Sequence, residues 1–143
     1  MTVIAYRDGI MAADSGVWCG DILVGHNHEK ITRLPDGALL GCCGLTPNIR
    51  AAIQWLAYGG DKPDPVEEGE FGAILARRGL VEEVTHKMAS YPLAGDIFCH
   101  GSHSEFMFGV MAAGASAEDA VRIAIQRCRY AAGDVHVMKL DEL

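Results

Sequence analysis

Long apolar runs and export signals are missing from this 143-residue sequence. A helix that crosses a membrane needs roughly 18 or more consecutive apolar residues, and every apolar run here is much shorter. The start of the chain carries neither the basic segment nor the apolar segment of a signal peptide. These absences predict a protein that has no membrane partner and is not secreted.

Paired cysteines and an excess of positive charge are also missing. The cysteines are odd in number, irregularly spaced and without a Cys-x-x-Cys pair: Cys19, Cys42, Cys43, Cys99 and Cys128. This pattern argues against a disulfide framework or a thiolate zinc site and favours a reducing, cytoplasmic location. The formal net charge of −7 repels a phosphate backbone, which predicts no nucleic-acid partner.

Metal-ligand patterns are weak. His26-x-His28 and His100-x-x-His103 each lack a third ligand at a predictable spacing, whereas a zinc site needs at least three protein ligands. Solvated or hydrogen-bonded histidines are the simpler interpretation. We therefore predict no metal and no cofactor.

The sequence does contain enough apolar residues, 50% of the chain, to bury the core of one domain over residues 1–143. Turn residues after Tyr6 predict a hairpin over 2–6 and 10–13. Other strands are expected over 21–25, 29–34, 38–43, 71–77, 80–84, 97–100 and 135–140, and helices over 49–58, 105–113 and 117–129. Thr46 is the expected cap of the first helix, and 59–69 is expected to be a surface connection. This order predicts antiparallel sheets covered by helices.

The most informative single residue is Thr2. A small residue at position 2 usually permits removal of Met1, which would leave Thr2 with both a hydroxyl and a free α-amine. Because an α-amine titrates near pH 8, part of it is unprotonated at neutral pH and can accept the hydroxyl proton. Thr2 is therefore a candidate nucleophile that carries its own base, although threonine is also simply common at this position.

Asp14 and Lys30 are the second candidate pair. A lysine beside a hydroxyl lowers the pKa of that hydroxyl through its positive charge, and a paired aspartate keeps the lysine charged and oriented. The alternative is an ordinary turn aspartate and a surface lysine.

Gly44 and Ser102 follow two predicted strands at the entry to helices. A backbone N–H of Gly44 can face a developing oxyanion, although Gly44 can equally be an ordinary turn glycine. Ser102 can be a helix cap or a hydroxyl partner of the Thr2 amine, and capping is the commoner role of an isolated serine.

Taken in order and at their spacing, six segments resemble the proteasome β-subunit family, and most closely its HslV branch. The segments are Thr2-Val-Ile-Ala-Tyr6, Gly9-Ile-Met-Ala-Ala-Asp14, Lys30-Ile-Thr-Arg-Leu34, Gly41-Cys-Cys-Gly44, Asp96-Ile-Phe-Cys-His-Gly-Ser102 and Ala131-Ala-Gly-Asp134. The resemblance implies an α+β fold, a four-layer αββα sandwich of the Ntn-hydrolase type. It also implies hydrolysis of peptide bonds by an N-terminal threonine.

By matching position, the resemblance implies a role for each candidate. Thr2 would be the nucleophile and its amine the base, Lys30 the charge beside the hydroxyl, Asp14 the partner of Lys30, Gly44 the oxyanion donor and Ser102 the support of the amine. It further implies a homo-oligomer, expected to be a ring, that acts on peptides or unfolded proteins, and an ATP-dependent unfoldase as partner.

Four features depart from the family pattern. The first hairpin is shorter, segment 59–69 replaces a long helix and so shortens one helical layer, and Arg129 stands where the family commonly has an aspartate. A retained Met1 would leave Thr2 with an amide nitrogen that cannot act as a base. Two alternatives therefore remain beside the peptidase: a catalytically inactive ring or scaffold homologue, and an Ntn amidase that acts on a small amide.

Overall fold

The structure is a computed structural model that describes residues 1–141; residues 142 and 143 of the predicted domain lie outside the described part. It is a mixed α/β arrangement of three helices and three sheets. The helices are α1 (Thr46–Tyr58), α2 (Ser104–Ala112) and α3 (Ala117–Arg127). The strands are β1 (Val3–Arg7), β2 (Ile10–Ala13), β3 (Val17–Cys19), β4 (Ile22–Gly25), β5 (Ile31–Arg33), β6 (Leu39–Gly44), β7 (Phe71–Arg77), β8 (Leu80–Val84), β9 (Ser90–Pro92), β10 (Ile97–Gly101) and β11 (His136–Lys139).

A four-stranded antiparallel sheet has the order β10-β1-β2-β11. Its central hairpin turns at Asp8 and Gly9, which both have positive φ, as a tight two-residue hairpin turn requires. The register pairs Ile4 with Ala13 on one side of β1 and with His100 on the other. The predicted hairpin is confirmed, and it brings the residue after β2 next to the start of β1.

A five-stranded antiparallel sheet has the order β5-β6-β7-β8-β9, and β3 and β4 form a separate two-stranded hairpin. Strands β7 and β8 coincide with the predicted ranges. Strands β3 and β9 were not predicted, because three residues are too few to show a period of two.

Three clusters of buried side chains fill the structure. One contains Val3 on β1, packed against α2 and α3; a second contains Ile4 from the same strand together with Ile74 from β7; a third contains Leu40 on β6 and Ala52 on α1. Alternation along β1 thus sends neighbouring side chains to opposite faces of the sheet. Side chains from both larger sheets meet in the second cluster, whereas α2 and α3 pack against the four-stranded sheet and α1 packs against the five-stranded sheet.

Cys42 and Cys43 lie on opposite faces of β6, since Cys42 packs in the α1 cluster and Cys43 packs against the cluster between the sheets. Met88, Met107 and Met111 are almost completely buried and fill parts of the core.

Thr46 does not cap α1, and that prediction is wrong. The N-cap is Leu45, one residue before the expected cap, and its carbonyl accepts the Ile49 N–H at 3.0 Å, so the helix begins at Thr46, before the expected range 49–58. Ser116 does cap α3, since its Oγ accepts the Asp119 N–H at 3.1 Å. None of the helices within residues 1–141 is long and apolar enough to cross a membrane.

Candidate active site

The site begins with the buried carboxylate of Asp14, which directly follows β2 and is 0% exposed. Its Oδ1 accepts the Lys30 ammonium at 2.9 Å and the Val3 N–H at 3.1 Å, and its Oδ2 accepts the Ala132 N–H at 3.2 Å. Three donors, one of them a cation, thus satisfy one carboxylate in a place that water does not reach. The hairpin and the approach to β11 together create this cage.

Lys30 lies immediately before β5, and only 5% of its side chain is exposed. Its ammonium also donates to the Met1 carbonyl at 3.0 Å. The cation therefore rests against the peptide that joins Met1 to Thr2. Burial, and secondarily the Lys30 charge, lowers the pKa of the Met1 amine below its ordinary value.

Thr2 is fixed through its backbone. Its carbonyl accepts the Ser102 N–H at 2.7 Å, which extends the pairing between β1 and β10 by one residue. Gly101 makes this approach possible: its φ is +89°, and a Cβ there would collide with the Thr2 carbonyl. The Ser102 N–H thus fixes the backbone of the candidate nucleophile, and the missing side chain at Gly101 permits this contact.

The side chain of Ser102 faces residue 1, since its Oγ lies 3.8 Å from the Met1 sulfur. The capping alternative for Ser102 is wrong. His103 is the N-cap of α2, in the left-handed region at φ 59°, and the first helical residue, Ser104, donates its hydroxyl to the Gly101 carbonyl at 2.8 Å. Because the backbone turns over at His103, the Ser102 hydroxyl points away from the first turn of the helix and towards the site.

Gly44 ends β6 with φ +124°, and a Cβ there would collide with the Glu70 carbonyl. That same carbonyl accepts the Leu45 N–H at 2.9 Å, which fastens the strand-to-helix junction to the segment before β7. Gly44 is therefore required by a close backbone approach, in addition to any role it has in binding.

Two clefts meet at Thr2. A smaller one of about 160 Å³ is lined by Thr2, Lys30, Gly44 and the indole-bearing Trp18, and by residues from the start of α1. A larger one of about 820 Å³ is lined by Thr2, Gly44 and Ser102 and extends over β7 and β8. A ligand chain that crosses Thr2 would have room on both sides of it.

Sequence reasoning missed the contribution of the segment between α3 and β11. The Ala132 N–H donates to the Asp14 carboxylate. Position 133 must be glycine, because the Cβ of any other residue would collide with the Ser15 hydroxyl. This hydroxyl lies 2.7 Å from the His26 carbonyl. The motif Ala131-Ala-Gly-Asp134 was the one sequence feature that marked this segment. Its small residues do not indicate which backbone N–H contacts Asp14.

Arg129, which departs from the family pattern, lies beside the site rather than in it. Its guanidinium sits 5.1 Å from the centre of the Tyr130 ring. Tyr130 in turn donates its hydroxyl to Asp21 at 2.9 Å, and its ring stacks with His103. The cation is thus held over an aromatic ring that ties the β3–β4 hairpin to the start of α2.

Cys43 also lines the larger cleft, next to Gly44. Burial raises the pKa of its thiol to about 12, which leaves almost no thiolate at neutral pH. Within residues 1–141, no three His, Cys, Asp or Glu side chains converge as a metal site would need. The Cys43 thiol is therefore a poor candidate nucleophile.

Comparisons with known proteins concern the whole chain. No protein-family model and no curated protein sequence matches it. Among solved structures, the chain is similar to Thiobacillus denitrificans BPH, with a TM-score of 0.66, 18% identity and 99% of each chain covered, a protein also solved in complex with epoxomicin. It is similar to the eukaryotic HslV from Trypanosoma brucei, with a TM-score of 0.70, 17% identity, and 96% of this chain and 98% of that chain covered. Similarity of this kind establishes the fold, and the chain therefore has a proteasome β-subunit and HslV-like fold.

Proposed function

We propose that this chain is a threonine-type peptidase in which Thr2, freed from Met1, is the nucleophile. The observation that carries the proposal is the Lys30 ammonium, held by the buried Asp14 carboxylate and lying against the Met1–Thr2 peptide. A buried cation in contact with residue 1 has no evident structural need, since a surface lysine would avoid the cost of desolvation. The sandwich of helices and sheets expected for such enzymes agrees with the three core clusters.

The proposed reaction uses the groups at the junction of the two clefts. After Met1 is removed, the Thr2 amine accepts the Thr2 hydroxyl proton, and Lys30 stabilises the developing negative charge on Oγ. Oγ attacks a peptide carbonyl, and the Gly44 N–H donates to the resulting oxyanion. The amine returns the proton to the leaving nitrogen, and water then hydrolyses the ester on Thr2. Ser102 supports the amine through its hydroxyl.

The same burial and the same cation that lower the pKa of the Met1 amine would act on a Thr2 amine. An amine with a lowered pKa is unprotonated in larger part at neutral pH, which suits a general base. We further propose a homo-oligomeric ring that encloses the site, peptide or unfolded-protein substrates, an ATP-dependent unfoldase partner and a cytoplasmic location, all of which agree with the fold likeness.

An inactive ring or scaffold homologue is the second candidate. The observation that favours it is Arg129, which lies over Tyr130 and brings no carboxylate to the Thr2 amine. An Ntn amidase that acts on a small amide uses the same nucleophile and differs only in what it turns over.

Intact-protein mass spectrometry with a peptide epoxyketone separates these candidates. The epoxyketone bonds to both a threonine Oγ and a free α-amine, so one adduct reports on Met1 removal and on a competent nucleophile together. We expect the protein to lack one methionine residue and to gain one inhibitor mass, with no adduct on Thr2→Ala. A processed protein that gains no mass would support the scaffold. Turnover of small amides without turnover of peptides would support the amidase.

A further inference from the structure

His103 directly follows Ser102 in a backbone conformation that few side chains adopt. Its φ of 59° and ψ of 27° lie in the left-handed region, where residues other than glycine are strained. A glycine would adopt the same conformation without strain. The backbone therefore gives no reason for an imidazole at this position, and the contacts of the ring have to offset the strain.

The ring of His103 is bound to Tyr130. Its Nε2 accepts the Tyr130 N–H at 3.1 Å, and the two rings stack with their centres 6.0 Å apart. Since Nε2 is the acceptor, the proton of the neutral ring is on Nδ1. The contact joins the turn after β10 to the segment between α3 and β11, across 27 positions of sequence.

That segment carries one of the donors of the candidate site. Two residues after Tyr130, the Ala132 N–H donates to Asp14 Oδ2 at 3.2 Å, and the Ala132 carbonyl accepts the Ser15 N–H at 3.0 Å. The other oxygen of Asp14 accepts the Lys30 ammonium. Because a carboxylate is oriented by the donors around it, a shift of Ala132 would let Asp14 rotate away from Lys30.

The residue before His103 supports the other side of the site. The Ser102 N–H donates to the Thr2 carbonyl at 2.7 Å, and the Ser102 hydroxyl faces residue 1. One side chain thus connects the backbone that supports Thr2 with the backbone that supports Asp14. As the described residues 1–141 form them, neither of the two clefts at Thr2 is lined by His103.

We propose that His103 is a positioning residue for the reaction at Thr2. Its Nε2 holds the Tyr130 backbone, this backbone sets the Ala132 donor, and the donor keeps the Asp14 carboxylate turned towards Lys30. The effect on the reaction rests on the proposed function, whereas the link between His103 and the segment after α3 does not. Because the ring lines neither cleft, it acts on the rate of bond formation and not on the affinity for a ligand.

Two variants of His103 separate its side chain from its backbone. His103→Gly relieves the strain and removes the acceptor, whereas His103→Gln retains an acceptor, its Oε1, at a reach close to that of Nε2. Ser104→Ala is the matched control. It removes the hydroxyl bond to the Gly101 carbonyl at the same turn, 2.8 Å long, and leaves the contact with Tyr130 in place.

Hydrogen–deuterium exchange measured by mass spectrometry tests the link without catalysis. We expect the amides of residues 130–132 to exchange about tenfold faster in His103→Gly, because an amide that loses its acceptor opens more readily. His103→Gln and Ser104→Ala should exchange at close to the wild-type rate. Unchanged exchange in His103→Gly, or an equal increase in Ser104→Ala, would overturn the proposal.

The kinetics of epoxyketone bonding to Thr2 provide the arm that depends on activity. We expect the inactivation rate constant to fall about tenfold in His103→Gly and to recover in His103→Gln, since small displacements of reacting groups slow a reaction strongly. The inhibitor concentration for half-maximal rate should not change. A variant that binds the inhibitor more weakly and keeps the rate constant would contradict the positioning role. A processed wild-type protein that forms no adduct would count against the peptidase alone, because the exchange measurement still decides the link.

Discussion

Replacing Asp14 by asparagine keeps the size of the side chain and removes the one carboxylate that pairs with Lys30 within residues 1–141. The Nζ to Oδ1 distance is 2.9 Å, and the two side chains are 5% and 0% exposed. At that distance the attraction is about 6 kcal/mol for an effective dielectric constant of about 20, before desolvation is subtracted. Because the lysine then remains buried without a counter-charge, we expect Asp14→Asn to cost about 3–5 kcal/mol of unfolding free energy.

Denaturant unfolding of Asp14→Asn, Lys30→Met and the double variant measures this as a thermodynamic cycle. The double variant removes both charges, so we expect it to lose less than the sum of the two single losses, by on the order of 1–3 kcal/mol. Asp36→Asn is the control, since Asp36 pairs with Arg77 at 3.0 Å on the surface, where an ion pair contributes about 1 kcal/mol or less.

Single losses that add to within about 0.5 kcal/mol would refute the reasoning, because they would mean that the two charges do not stabilise each other. A loss for Asp14→Asn no larger than that for Asp36→Asn would refute it as well. The epoxyketone adduct on Thr2 provides an independent readout, and we expect it to be lost in Lys30→Met even under conditions in which the variant is fully folded.

Three further predictions follow from the backbone, the imidazole and the thiols. Gly101→Ala should lower the thermal unfolding temperature far more than Gly79→Ala. The backbone φ is positive at both glycines, but only a Cβ at Gly101 would collide with a neighbouring atom, the Thr2 carbonyl oxygen. Burial lowers the pKa of His100 below its ordinary 6.5, so the unfolded state binds the proton more readily than the folded state. The free energy of unfolding should therefore be constant with respect to His100 above pH 6.5 and should fall as the pH drops below 6.5 towards the lower folded pKa. A His100→Gln variant should show a smaller decrease in denaturant titrations over that range. Iodoacetamide at neutral pH should label the exposed Cys19 in the native protein and spare Cys43, whose thiol pKa is about 12, and mass mapping that finds equal labelling would contradict the burial described here.

The strands that the sequence predicted best are those with a strong pattern and clear turns. Strands β7 and β8 have apolar or alternating residues on either side of a turn at Gly79, which has positive φ. The three-residue strands β3 and β9 were missed. The cap of α1 was wrongly assigned to Thr46, because the position of a cap depends on the residue at which the preceding strand ends. That position is set by the hydrogen bond between Leu45 and Glu70, which are far apart in sequence.

In the site, too, the sequence predicted some residues and missed others. Asp14 and Lys30 could be selected from residue type and spacing, but the third donor to the Asp14 carboxylate is the backbone of Ala132, 118 residues away. A backbone N–H carries no sequence signal, so no pattern could have named it. The burial of the His100 ring was equally invisible, since its Nε2 lies against Gly72 on another strand, where the absence of a side chain leaves room for it.

By itself, the sequence determined the alternation that gives each strand two distinct faces, the turns that make neighbouring strands pair, and the residue types able to carry a charge or a nucleophile. These are local properties, which depend on a few adjacent residues. The tertiary structure decided which charges meet away from water, which backbone donors they use, and where the sheets leave a cleft open. Those outcomes depend on contacts between distant segments, and their energies arise only when packing excludes the solvent.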